Sequence, residues 1–171
     1  ILMFLTLRTW SQVRFWADNF TLYEHAIDAT VDNHVAHNNL GAALYLKGKV
    51  EQATIHFIKA LKIGPDYNES LTNLRVSLGV NENIDPAIKK IKKIIKIYPE
   101  NAGLYYNLGV MLKRKGELDK AIKQYEKALS YHARFAQAQF DLAFTYSIKG
   151  DYEKALTLYK KTIKIQPDLF W

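Results

Sequence analysis

Residues 102–135 read AGLYYNLGVMLKRKGELDKAIKQYEKALSYHARF, and this stretch decides the fold. Tyr105, Leu108 and Leu112 recur at the three- and four-residue spacing that lines one side of a helix, and Leu118, Ala121, Tyr125 and Ala128 repeat the pattern. Gly116 falls between the two runs. Glycine there accepts the left-handed turn that ends a helix. The stretch reads as a pair of antiparallel helices.

Moving outward, the same features return every 34 residues. Gly41 and Gly109, each preceded by Leu, lie 68 residues apart, twice that period. Gly48, Gly116 and Gly150 keep the spacing, as do Ala53, Ala87, Ala121 and Ala155. Pro65, Pro99 and Pro167 share a slot with Ala133, and proline, lacking an N–H, closes the second helix. Four units follow, 34–67, 68–101, 102–135 and 136–169. Small residues (Gly41 with Ala53, Gly109 with Ala121) let the two helices of a unit approach. Phe57, Ile91, Tyr125 and Tyr159 then fill the space between units. A single hairpin cannot bury its apolar face, so stability comes from stacking. Unit two departs from the pattern at Arg75, Glu82 and Ile94, and is expected to pack less tightly. Upstream, Trp16, Tyr23 and Ala26 stand one period before Val50, Phe57 and Ala60, with Asn19 in the slot of Ala53. Residues 1–33 therefore read as a degenerate repeat, with residues 1–14 as its first helix. Phe170 and Trp171 would begin a further repeat.

The recurring aromatic, Leu-Gly, Tyr, Gly, Ala, aromatic, Ala and Pro positions resemble the tetratricopeptide repeat (TPR) family across residues 34–169. The resemblance implies an all-α, right-handed superhelix of about ten helices, with no enzymatic activity of its own. It further implies a scaffold for protein–protein interaction, whose first helices line a concave groove that takes an extended peptide.

One groove position on that reading holds Asn39, Asn73, Asn107 and Asp141, each 34 from the last. An Asn amide both donates and accepts, so such a ladder suits the backbone of an extended peptide. One turn round lie Asn38, Thr72, Tyr106 and Phe140, and the next turn adds Ala42, Val76, Val110 and Phe144. The groove thus passes from small and polar to aromatic. The expected peptide-binding residues are Asn38, Asn39, Asn73, Tyr106, Asn107, Phe140, Asp141 and Phe144. The slots where chaperone-binding relatives grip two carboxylates hold Asn38, Ala42, Asn73, Gly103 and Asn107, with no cation among them.

Composition narrows the remaining classes. Cysteine is absent, which excludes disulfides, thiolate catalysis and Cys-based zinc sites. The net charge is +7, and Lys89, Lys90, Lys92, Lys93 and Lys96 crowd one helix. These lysines lack the interleaved aromatics of single-strand binders, so nucleic acid is not expected as a partner. They read as a solvated face or, alternatively, as a dock for anionic lipid headgroups or an acidic protein. His34 and His37, with His56, have the spacing of a metal pair, but His37 occupies a core aromatic slot, so packing is expected and no metal or cofactor is assigned.

Residues 1–7 read ILMFLTL, far short of the ~20 apolar residues that span a bilayer. They are either the end of a membrane helix begun upstream or the apolar side of a terminal helix. Uncapped ends, here residues 1–7 with Phe170 and Trp171, favour self-association. The stretch from Trp16 to Gly41 also resembles the junction of multi-pass proteins of the O-mannosyltransferase and transmembrane-and-TPR type. That resemblance implies an alternative function: a substrate-presenting arm on the periplasmic or lumenal side of a membrane glycosyltransferase whose catalytic part lies elsewhere. Without it, a cytoplasmic location is expected.

Overall fold

A computed structural model describes residues 19–165. These form nine helices and no strand: α1 (Asn19–Ala29), α2 (His34–Leu46), α3 (Val50–Ile63), α4 (Asn68–Ser77), α5 (Ile84–Ile97), α6 (Ala102–Arg114), α7 (Leu118–Tyr131), α8 (Ala136–Ile148) and α9 (Tyr152–Ile165). The expected tenth helix, residues 1–14, lies outside the described residues, as do residues 166–171. Starts at His34, Asn68, Ala102 and Ala136 are each 34 apart, and so are Val50, Ile84, Leu118 and Tyr152. The chain is the all-α solenoid expected from the repeat.

Local chemistry sets the helix ends. Asn33 and Asn101 stand one position before α2 and α6, and their carboxamide oxygens accept from the N–H groups of Ala36 and Leu104. Gly48, Gly116 and Gly150 end α2, α6 and α8 with φ between +75° and +84°. Each sits in a turn where the following residue's N–H returns to the last helical turn, as Glu117 does to the Leu112 carbonyl at 2.9 Å.

Three hairpins close tightly: α2 with α3, α6 with α7, and α8 with α9. In two of them glycine faces an aromatic ring. A methyl group added to Gly41 would stand 2.7 Å from the Phe57 ring, and one on Gly109 would stand 2.6 Å from the Tyr125 ring. Such distances are below any real carbon contact, so only glycine permits this approach. Phe57 and Tyr125 are fully buried as a result.

The second hairpin differs. Arg75 takes the glycine slot, and α4 and α5 scarcely touch. Without glycine at that slot the close approach to a partner ring is lost, and the Arg75 side chain reaches instead to Asn107 and Thr72. Glu82 replaces the turn glycine, and the left-handed position moves three residues upstream to Gly79, φ +76°. This shortens α4 to 10 residues and lengthens the connection to residues 78–83. With α5 displaced, α6 seats directly on α3. Asn101 donates its amide to the Ile58 carbonyl at 3.2 Å. Gly103 lies so close to Pro65 that a methyl group there would come within 3.0 Å of the Pro65 carbonyl oxygen. Unit two is thus the loosest, at the residues that break its pattern.

Candidate peptide-binding face

The first helices α2, α4, α6 and α8 present the side chains expected to meet a ligand, and the structure divides them into two groups. The first group joins one hairpin to the next. Asn38 is buried, and its oxygen accepts from Ser70 Oγ and Asn73 Nδ2, both at 3.0 Å. Asn107 is fully buried: its Nδ2 donates to the Leu71 carbonyl at 3.1 Å, and its Oδ1 accepts from the Arg75 guanidinium at 2.7 Å. Tyr106 is buried against Tyr125 and Phe135 and donates its hydroxyl to Asp141 at 2.8 Å. Burial and the Asp141 charge raise the Tyr106 pKa, so this proton stays in place. Asp141 also pairs with Lys113.

This corrects the sequence expectation for Asn38, Tyr106 and Asn107. They do not face a groove; they lie inside the seam between hairpins, where their polar atoms are consumed. Asn73, Asn107 and Asp141 each reach back one unit, α4 to α2, α6 to α4 and α8 to α6. The 34-residue period of the ladder therefore carries stacking. Repeat spacing alone cannot separate the two roles, because a residue at the edge of a first helix borders both the groove and the preceding hairpin.

The second group stays accessible. The amide nitrogen of Asn39 receives no partner among the described residues, while its oxygen takes a long 3.4 Å bond from Asn38. Asn73 spends its nitrogen on Asn38 and keeps its oxygen. Val76 and Phe144 are exposed, and Val110 between them is half-buried. Phe140 is half-buried with its ring 5.6 Å from that of Tyr159. These accessible amide and apolar side chains stand on successive first helices, α2, α4, α6 and α8.

Three cations border these side chains. Arg75, held by Asn107 and by Thr72 Oγ1 at 3.1 Å, lines a recess with Val76, Val80, Val110 and Arg114. Lys113 sits over the Phe144 ring, 5.2 Å from its centre. The slots compared with chaperone-binding relatives lack these residues. Their one sequence signal was Arg75 itself, a charge where the repeat demands glycine.

His37 and His56 come together in the first hairpin, Nδ1 to Nδ1 at 3.2 Å, so one ring donates to the other. Burial, then the Lys59 charge, depresses both, and His56 falls to about 4. They pack as a neutral pair. Among the described residues no cluster of three or more His, Asp or Glu has the arrangement of a metal site, and no helix is long and apolar enough to cross a membrane.

Comparison with known proteins agrees with the fold. Residues 100–168 match the tetratricopeptide repeat family. A crystal structure of MamA is 24% identical and superposes with a TM-score of 0.58, covering 91% of this chain and 93% of that one. YrrB, described as a TPR protein with an unusual peptide-binding site, is 24% identical with a TM-score of 0.56, over 95% and 84% of the two chains. MamA from Desulfovibrio magneticus RS-1 is 21% identical with a TM-score of 0.55, over 81% and 78%. No curated protein sequence matches the chain. Residues 100–168 thus match tetratricopeptide repeats, and the described residues have the fold of a TPR solenoid.

Proposed function

We propose that the chain is a protein-interaction scaffold that holds an extended peptide along its first helices. The peptide would run from Asn39 past Asn73, Val76 and Val110 to Phe140 and Phe144. The observation that carries this reading is the row of accessible side chains itself. Val76, Val110 and Phe144 share one slot of the repeat, and the packing of the fold leaves two of them exposed. An apolar residue on a rigid helix beside open amides suits side-chain anchors on a backbone fixed at intervals. Asn39 and Asn73 supply the amide contacts, and Asp141 acts indirectly by holding Lys113 beside the Phe144 ring. The peptide-binding description of YrrB supports the class of ligand.

The test begins with peptides selected from a random display library against the whole chain. Affinities are then compared for the parent, Phe144→Ala and Val76→Asp. Loss of an interfacial aromatic anchor costs about 2 kcal/mol or more, so a selected peptide should bind Phe144→Ala roughly thirty-fold more weakly. Equal affinity for all three proteins, each with the parent's melting temperature, would remove this face from the mechanism.

The arm of a membrane glycosyltransferase draws no support from MamA or YrrB. The proposed scaffold role needs neither a membrane nor an upstream catalytic part.

A further inference from the structure

The displacement of α5 has a consequence on the opposite side of the hairpins. Between α3 and α5 runs a seam lined by Leu78 at the end of α4, where Thr54 of α3 donates to Ser77 of α4 at 3.0 Å. Near the start of α3 it opens into an apolar pocket of about 360 Å³ between Val50, Ile55 and Ile94. Ile55 is 44% exposed there. At the far end of α3 a second pocket, about 400 Å³, lies between Leu61, Pro65 and Ile97, and Ile97 is 70% exposed. Eight residues of α3 separate Thr54 from Lys62, which is about 12 Å at 1.5 Å per residue.

The charge around the seam is predominantly positive. Lys90 and Lys93 line the first pocket with Glu51 of α3, Lys62 and Glu100 line the second, and Lys89, Lys92 and Lys96 stand exposed on α5. None of the five lysines of α5 forms an ion pair among the described residues, whereas Lys113, Lys115, Lys120, Lys149 and Lys154 all do. The seam between α7 and α9 also holds a pocket, about 400 Å³, but Glu126 and Glu153 line it, its lysine, Lys154, is paired with Asp151, and Tyr146 donates its hydroxyl to Glu126 at 3.1 Å. The α3–α5 seam differs in carrying unpaired lysines beside its pockets.

We infer that this seam is a second binding surface, for an acidic amphipathic helix of a partner protein. The two pockets take apolar side chains about two helical turns apart, and carboxylates along the flank of the bound helix meet Lys90 and Lys93. The spacing fits positions i and i+7 or i+8 of one helix face, which are 10.5–12 Å apart at ~1.5 Å per residue. Charge complementarity sets the sign of the partner, and the apolar pockets separate a docked helix from diffuse attraction to any polyanion. This surface stands apart from the accessible residues on the first helices, so either can fail alone.

The probe is a synthetic fluorescent helix with Leu at i and i+7 in a Glu/Ala background. Controls replace both Leu by Ser, or all Glu by Lys. Anisotropy titrations use the whole chain, Lys90→Glu/Lys93→Glu, Ile55→Ser and Phe144→Ala. All four substituted positions are exposed, and circular dichroism verifies the fold. The expected result is saturable binding of the Glu/Leu helix, weakened about ten-fold or more by the charge reversal and by Ile55→Ser, and unchanged in Phe144→Ala. The Lys helix should bind the charge-reversed protein in preference to the parent. No binding of the Glu/Leu helix would overturn the inference. So would equal binding of the Ser control, insensitivity to Lys90 and Lys93, or loss only in Phe144→Ala. Capture of the parent by phosphatidylserine vesicles through the same lysines, without binding of the helix, would assign the surface to lipid instead.

Discussion

At the scale of single residues, one residue type answers different demands. Gly41 and Gly109 are demanded by space, since a methyl group would enter the neighbouring ring. Gly79 is demanded by conformation: its φ is +76° and the nearest atom to an added methyl group is a Glu82 oxygen at an ordinary 3.5 Å. Gly79→Ala should therefore cost about 1–2 kcal/mol, the strain of a left-handed non-glycine residue. A chemical denaturation curve of that variant matching the parent's would contradict the assignment. Asn107 gives a second test. Its oxygen is the acceptor for Arg75 and its nitrogen is the donor to Leu71, so Asn107→Ala removes two hydrogen bonds across the seam and leaves a void at a fully buried position. It should lose about 1–3 kcal/mol, while Asn39→Ala, which breaks one weak bond at the surface, should stay within about 0.5 kcal/mol. The repeat makes these two Asn equivalent, two 34-residue periods apart. Only packing tells them apart, because the amide of Asn107 lies under Arg75, a residue the repeat pattern marks as foreign.

Protonation is also decided locally. His56 has its pKa lowered to about 4 from 6.5 by burial first, then by Lys59 and His37. The unfolded chain therefore binds more protons than the folded one between these values. Stability is fully present above about pH 6.5 and falls as the pH drops toward 4. Replacing His56 by Gln should shrink the loss of stability between pH 7 and 4.5, as measured by urea unfolding at each pH. An unchanged pH dependence would show that the pair is not held neutral.

At the scale of helices, most of the architecture was legible and one hairpin was not. The 34-residue grid placed the starts of α2 to α9 because Ala, Gly and aromatic positions each answer to a steric demand of close helix pairing. The same grid flagged Arg75 and Glu82 as departures. It could not say how the chain accommodates them. Two physical responses were available, a strained hairpin or an opened one, and the presence of Gly79 three residues before Glu82 permits the second. The turn moves to the glycine, α4 loses a turn, and α5 leans away onto α6. Backbone amides of α5 should then exchange with deuterium faster than those of α7, which is clasped on one side by α6 and on the other by α8. Equal protection in the two helices would mean that the second hairpin is closed in solution.

At the scale of the molecule, the solenoid uses its first helices twice. Their edges carry the bonds that lock one hairpin to the next, from Asn38 to Asn73, Arg75 to Asn107 and Tyr106 to Asp141. Their open faces carry the accessible residues from Asn39 to Phe144 on which we propose that a ligand lies. The central claim is that a peptide lies on those residues, and site-specific photocrosslinking tests it directly. A benzophenone side chain is placed in turn at position 76 on α4, at position 144 on α8 and, as a control, at exposed position 123 on α7. Each protein is irradiated with a peptide selected from the display library. The account predicts covalent peptide at positions 76 and 144, attached to successive parts of the same peptide, and none at position 123. Crosslinking at position 123 with silence at 76 and 144 would contradict it.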